Sequence, residues 1–176
     1  MLGKRNIYLV GPMGTGKTAV GKYLARMLGV PFVDSDAEIE RVAGVDIPYI
    51  FDQEGEAGFR RREHEALVEL CTRSPLILAT GGGAVLAPEN RRLLHESGVV
   101  VFLQTSIAQQ LQRVGSGRGR PLLQGDQDMV RKLEQLRLVR EPLYREVADV
   151  VLVTDGRRVA KVAELIVQEL GLPGAV

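Results

Sequence analysis

The chain alternates short, almost wholly apolar runs with stretches in which apolar residues recur every three or four positions. NIYLV at 6–10, VPFVD at 30–34, LILAT at 76–80, VVVFL at 99–103 and DVVLV at 149–153 read as strands. Their apolar character is continuous rather than alternating, as expected when both faces of a parallel sheet are covered. Helical patterns lie between them. Val20, Leu24 and Leu28 recur at i, i+4 and i+8. Ser35 and Glu38 have the spacing of a capping box. A helix over about 48–73 is expected to break near Gly55 and Gly58. Pro88 suits a first helical turn, and Ser106 with Gln109 opens the next helix. A helix over about 128–140 and an amphipathic one ending near Leu170 complete the pattern. The alternation predicts a three-layer α/β/α domain, doubly wound around a five-stranded parallel sheet. Ligands of such sheets bind beyond the carboxyl ends of the strands. The candidate chemistry should therefore follow Val10, Val33, Ala79, Leu103 and Val153.

A length of 176 residues suits one domain, 1–176, and 45% hydrophobic with 26% charged residues is ordinary globular composition. The net charge of +1 gives no global field for nucleic acid or an anionic membrane, so a basic site must be local. The N-terminus lacks the apolar core of a secretory signal, and no apolar run approaches the ~20 residues of a membrane span. Cys71 is the sole cysteine, reads as a small buried residue on a helix, and agrees with a reducing cytoplasmic setting. His64 and His95 stand alone on helical patterns and are expected at the surface.

GPMGTGKT, 11–18, changes the picture. It fits G-x-x-x-x-G-K-[ST] between a strand and a helix, the context that identifies a P-loop, and so predicts the P-loop NTPase fold. Its N–H groups and the helix N-terminus would cradle phosphates. Lys17 would reach the β- and γ-phosphates, and the Thr18 hydroxyl would hold Mg²⁺. A small-molecule kinase, a regulatory GTPase and a motor-type ATPase all remain open at this point. DQEG at 52–55 matches the short GTPase D-x-x-G, but it follows helical sequence, and no Asn-Lys-x-Asp occurs.

DSD follows the second strand. Asp34 ends an apolar run, as an acid that supports Mg²⁺ through water does, and Asp36 enters the next helix, where an acid is also favoured electrostatically. GFRRRE, 58–63, places three arginines about 100° apart on a helix, so only one or two can face one site. Arg60, beside Phe59 and three residues before Glu63, is the candidate. TGGGAV carries Gly81, Gly82 and Gly83, which permit close approach of a ligand to the backbone. RVGSGRGRPLL, 113–123, could be a linker, an arginine-glycine RNA tract or part of an active site; it lacks neighbouring aromatic residues for base stacking.

Together GPMGTGKT, DSD, GFRRRE, TGGGAV, RPLL and REPLYREVAD closely resemble the shikimate kinases, over essentially the whole chain and in the same order. The resemblance implies ATP-dependent phosphorylation of the 3-hydroxyl of shikimate, on the way to chorismate and the aromatic amino acids. It implies ATP contacts from Gly14, Thr15, Gly16, Lys17, Thr18, Ala19, Arg113, Arg120 and Arg157. Mg²⁺ would sit on Thr18 with Asp34. Shikimate would be bound by Asp36, Arg60, Gly81, Gly82, Gly83 and Arg140. Lys17, Asp36 and Arg120 would carry the chemistry, with 34–62 as the acceptor-binding region and 113–127 as a mobile lid. ATP and shikimate would be the partners of a cytoplasmic monomer, with neither nucleic acid nor membrane involved. A gluconate-type kinase on the same fold is the rival reading.

Overall fold

A computed structural model describes residues 6–116 and 126–173. Five strands, β1 (Asn6–Val10), β2 (Phe32–Asp34), β3 (Ile77–Ala79), β4 (Gly98–Gln104) and β5 (Val150–Val153), form a sheet in the order β2-β3-β1-β4-β5. Every pairing is parallel, with Leu9 opposite Ala79 and Val101. The central β1 is wholly buried, which accounts for its unbroken apolar run.

Seven α-helices pack around the sheet among the described residues: α1 (Lys17–Leu28), α2 (Ser35–Ala43), α3 (Ile47–Thr72), α4 (Pro88–Ser97), α5 (Ile107–Ser116), α6 (Asp126–Val147) and α7 (Val159–Glu169). On one face Ile7, Leu9, Val101 and Leu103 meet Val20 and Leu24 of α1 and Val162 and Ile166 of α7. On the other, Tyr8, Val10, Leu78 and Phe102 meet Leu67 of α3, Leu94 of α4 and Tyr144 of α6. A small satellite of Ile39, Ile50 and Phe59 joins α2 to α3. None of these helices is long and apolar enough to cross a membrane.

Several sequence expectations shift. Leu28 is only half-buried, at the rim of the first core. The long helix α3 turns once, at Gly55 with φ 68° and ψ −176°, and runs on through Gly58, whose α-hydrogen faces Glu54. Helix α6 does not stop near 140: it continues through Pro142 to Val147. The carbonyl that Pro142 leaves unbonded belongs to Leu138, which is 78% exposed, so water can satisfy it. Cys71 is half-buried rather than buried. His95 is exposed as expected, but His64 is half-buried, and its Nδ1 lies 2.7 Å from Asn90 Oδ1.

Candidate active site

The loop from β1 to α1 carries Gly14 and Gly16 at φ 79° and 84°, conformations open to glycine. Four successive carbonyls of this loop are engaged by side chains. Lys17 Nζ donates to Gly11 O at 2.7 Å and to Pro12 O at 2.8 Å. Gln110 Nε2 donates to Met13 O at 2.8 Å, and Arg113 Nη1 to Gly14 O at 2.6 Å. With the carbonyls occupied, the loop's N–H groups and the α1 N-terminus are the groups left to meet an anion. Thr15 Oγ1 is buried with no partner among the described residues. Burial pushes the Lys17 ammonium down to about 8, against the pull of Asp36 and Asp34 and with Arg140 adding to the lowering.

On the outer side of this loop, Thr15, Gly16, Ala19, Arg113, Thr154 and Arg157 line a notch of about 290 Å³. Asp155, next to Thr154 in the chain, accepts from Thr105 Oγ1 at 2.7 Å and from Ser106 N at 3.1 Å, tying the loop after β5 to the start of α5. The structure thus brings Arg113 and Arg157 to one place beside the P-loop, although they lie on different elements. Arg120 lies outside the described residues, as do most of the positions expected to form the lid.

The DSD turn is arranged differently from the capping box read from Ser35. Asp34 is the cap of α2: its Oδ1 accepts from Asp36 N at 3.0 Å and Ala37 N at 3.2 Å. Glu38 turns away to Arg41 and Arg73. Asp34 Oδ2 accepts from Thr18 Oγ1 at 2.9 Å. A hydroxyl and a carboxylate oxygen side by side at a phosphate cradle fit Mg²⁺, which takes few protein ligands and completes its shell with phosphate oxygens and water. The described residues contain no cluster of three or more acidic, histidine or cysteine side chains that would instead form an all-protein cage.

Opposite these acids runs the glycine loop after β3. Each of its glycines faces a functional group. A β-carbon on Gly81 would stand 2.7 Å from Asp36 Oδ1 and 3.2 Å from Glu63 Oε2. On Gly82 it would stand 3.4 Å from Arg140 Nη1, and on Gly83 2.6 Å from Arg60 Nη1. The three glycines therefore let two carboxylates and two guanidinium groups converge on one stretch of backbone. Arg60 Nη1 donates to Glu63 Oε1 at 2.8 Å. Asp36 Oδ1, Arg60 Nε and Glu63 Oε2 are buried with no partner among the described residues. Burial, then repulsion from Asp34, holds the Asp36 carboxyl above its ordinary range, while Lys17 and Arg60 pull it back. Burial likewise raises Glu63, opposed by Arg60. A cavity of about 170 Å³, lined by Pro12, Asp36, Gly82, Arg140 and Tyr144, connects this cluster to the P-loop.

Two supporting residues escape a sequence reading. Ser35 Oγ, fully buried, accepts from Gly81 N at 3.0 Å. Tyr144 Oη donates to Gly82 O at 2.5 Å, and its ring packs on Phe102 at 5.0 Å between centroids.

A phosphate cradle that opens directly onto a small, partly buried site of carboxylates and arginines defines a P-loop phosphotransferase acting on a compact anionic acceptor. A family model described as Shikimate kinase matches residues 13–171. A shikimate kinase of Halorhodospira halophila is 56% identical over 164 residues, covering 93% of this chain and 92% of the relative. The structure of shikimate kinase from Acinetobacter baumannii in complex with shikimate is 49% identical, with a TM-score of 0.88 over 96% of this chain and 94% of that one. The chain belongs to the shikimate kinase family. A gluconokinase from Sinorhizobium meliloti, 19% identical with a TM-score of 0.59 over 96% of this chain and 92% of that one, shares the fold alone.

Proposed function

We propose that the chain transfers the γ-phosphoryl group of ATP to the 3-hydroxyl of shikimate, giving shikimate 3-phosphate and ADP. The observation that carries this reading is the glycine loop, where Asp36 and Glu63 stand at Gly81 and Arg140 and Arg60 at Gly82 and Gly83. Carboxylates suit the hydroxyls of a polyol, and paired guanidinium forks suit a single carboxylate better than lysines do. Family membership and the shikimate bound to the Acinetobacter baumannii relative support the same acceptor.

Phosphoryl transfer asks the protein for position and charge rather than covalent help. Gly14, Thr15, Gly16 and Lys17 hold the phosphates, and Arg113 and Arg157 flank the nucleotide base near Ala19. Thr18, and Asp34 through water, would hold Mg²⁺, which when bound neutralises charge on the β- and γ-phosphates. Asp36 hydrogen-bonds the attacking hydroxyl and takes its proton; the unpartnered, buried Oδ1 and the raised carboxyl support that role. Arg60 and Arg140 anchor the carboxylate, which leaves the 3-hydroxyl towards Lys17. Arg120, which lies outside the described residues, would reach the transferring phosphate and help exclude water. The chain works as a single-domain monomer, in the cytoplasm where ATP is supplied.

Coupled ADP release across candidate acceptors tests the reading. Turnover with shikimate and none with gluconate is expected. Absence of turnover with shikimate overturns it.

A further inference from the structure

The glycine loop offers two consecutive N–H donors, and the carbonyls opposite them are pinned. Gly81 N is taken by Ser35 Oγ, and Thr80 N by Leu9 O at 3.1 Å. Gly82 N and Gly83 N make no hydrogen bond to other described residues. In a trans peptide the N–H points opposite to the C=O of the same plane. Gly81 O is held by Ala84 N at 3.1 Å, which orients Gly82 N–H. Gly82 O is held by the Tyr144 hydroxyl at 2.5 Å, which orients Gly83 N–H away from Tyr144. Gly83 is the glycine that abuts the Arg60 guanidinium, and Gly82 the one that abuts Arg140. Two adjacent N–H groups between two guanidinium groups are the donors this loop can offer an anion.

From this geometry we infer that Tyr144 is a positioning residue for recognition of the acceptor's carboxylate: its hydroxyl fixes the peptide that turns the Gly83 N–H towards that group. The inference rests on the proposed shikimate reading. It requires the hydroxyl to stay protonated and its ring to stay put. Burial raises the phenol to about 12, and the ring packs against Phe102 in the second core. Tyr144 acts through the loop and, beside it, through Arg140, which its hydroxyl also meets.

The test compares the wild type and Tyr144→Phe on two acceptors: shikimate, and the analogue in which a CH₂OH group replaces the carboxylate. Wild-type turnover of shikimate comes first, because its absence refutes the functional reading itself. With that in hand, Tyr144→Phe is expected to raise KM for shikimate about five- to tenfold, the worth of one ordinary neutral hydrogen bond. KM for ATP and kinetics on the alcohol analogue should stay within about twofold. Phe102→Leu, which loosens the ring but keeps the hydroxyl, should lower stability and shift the ratio between the two acceptors in the same direction by a smaller factor. An equal loss on both acceptors for Tyr144→Phe, or no loss, overturns the inference. So does a Tyr144→Phe protein lacking the wild-type urea transition, because the hydroxyl would then be a folding requirement and not a positioning one.

Discussion

Ser35 Oγ accepts the N–H of Gly81 across 3.0 Å, joining the residue between the two site aspartates to the first glycine of the opposing loop. Both partners are buried, so no water substitutes for the bond. The bond sets the gap between Asp36 and the glycine loop, the gap that holds the acceptor in the proposed reaction.

Ser35→Ala should therefore act on the acceptor and spare the nucleotide. The orphaned Gly81 N–H is expected to lower stability by about 1–3 kcal/mol. KM for shikimate should rise about tenfold while KM for ATP stays within about twofold. Steady-state kinetics with each substrate varied in turn, beside urea unfolding, measures both. A matching rise in the two KM values would show that the serine merely supports the fold.

Lys17 Nζ donates to both Gly11 O and Pro12 O. Phosphate oxygens would offer its ammonium a stronger partner than carbonyls do. Lys17→Ala is expected to lower kcat by at least about a hundredfold, the usual scale for one preorganised charge on a developing anion. The measurement is turnover at saturating ATP and shikimate. Activity near the wild-type level would remove Lys17 from the phosphate site.

Gln110 is buried and donates to Met13 O from α5, the helix that also supplies Arg113 to Gly14 O. Gln110→Leu keeps the bulk of the side chain and loses the donor. The freed Met13 carbonyl can then swing, and with it the following N–H. KM for ATP should rise about five- to tenfold with little change in KM for shikimate, the reverse of the Ser35 result. Nucleotide titration by calorimetry is an independent check. ATP affinity unchanged in Gln110→Leu would mean that the loop holds its shape without that bond.

These supporting residues show where sequence reading runs out. The P-loop was legible because its whole chemistry lies within eight consecutive positions, 11–18, bounded by a strand and a helix. Gly81, Gly82 and Gly83 were legible because three glycines exceed what a plain turn needs, and each does face a side chain. Ser35 read as a helix cap, since local spacing favours that role; the cap is Asp34, because α2 begins at Ser35 directly after the strand and the Asp34 carboxylate takes the first free N–H groups. Ser35, Tyr144 and Gln110 work through partners 46, 62 and 97 positions away, so no local pattern announces them. The helix expected to end near 140 runs on through Pro142, because the penalty of that proline depends on whether the carbonyl four residues back meets water, a property of the folded surface.

Glu38 connects the acceptor-binding region to acid stability. Hydrogen bonds from Arg41, reinforced by Arg73, hold its carboxyl down at about 2, with burial opposing them. Its ordinary value is 4.5. A carboxyl lowered on folding stabilises the protein above the unfolded value, and that contribution is lost as pH falls through the folded one. The window is thus pH 4.5 down to about 2. Glu38→Gln removes the charge throughout. Arg41 is mostly exposed, so solvent screens much of the interaction, and a drop of about 2–4 °C in Tm is expected at pH 7. Between pH 4.5 and 2 the wild type should lose its advantage and approach the variant's Tm. Parallel melting curves at both ends of the window decide the matter: a Tm difference that stays constant as the pH is lowered would place the contribution of Glu38 in packing and not in its charge.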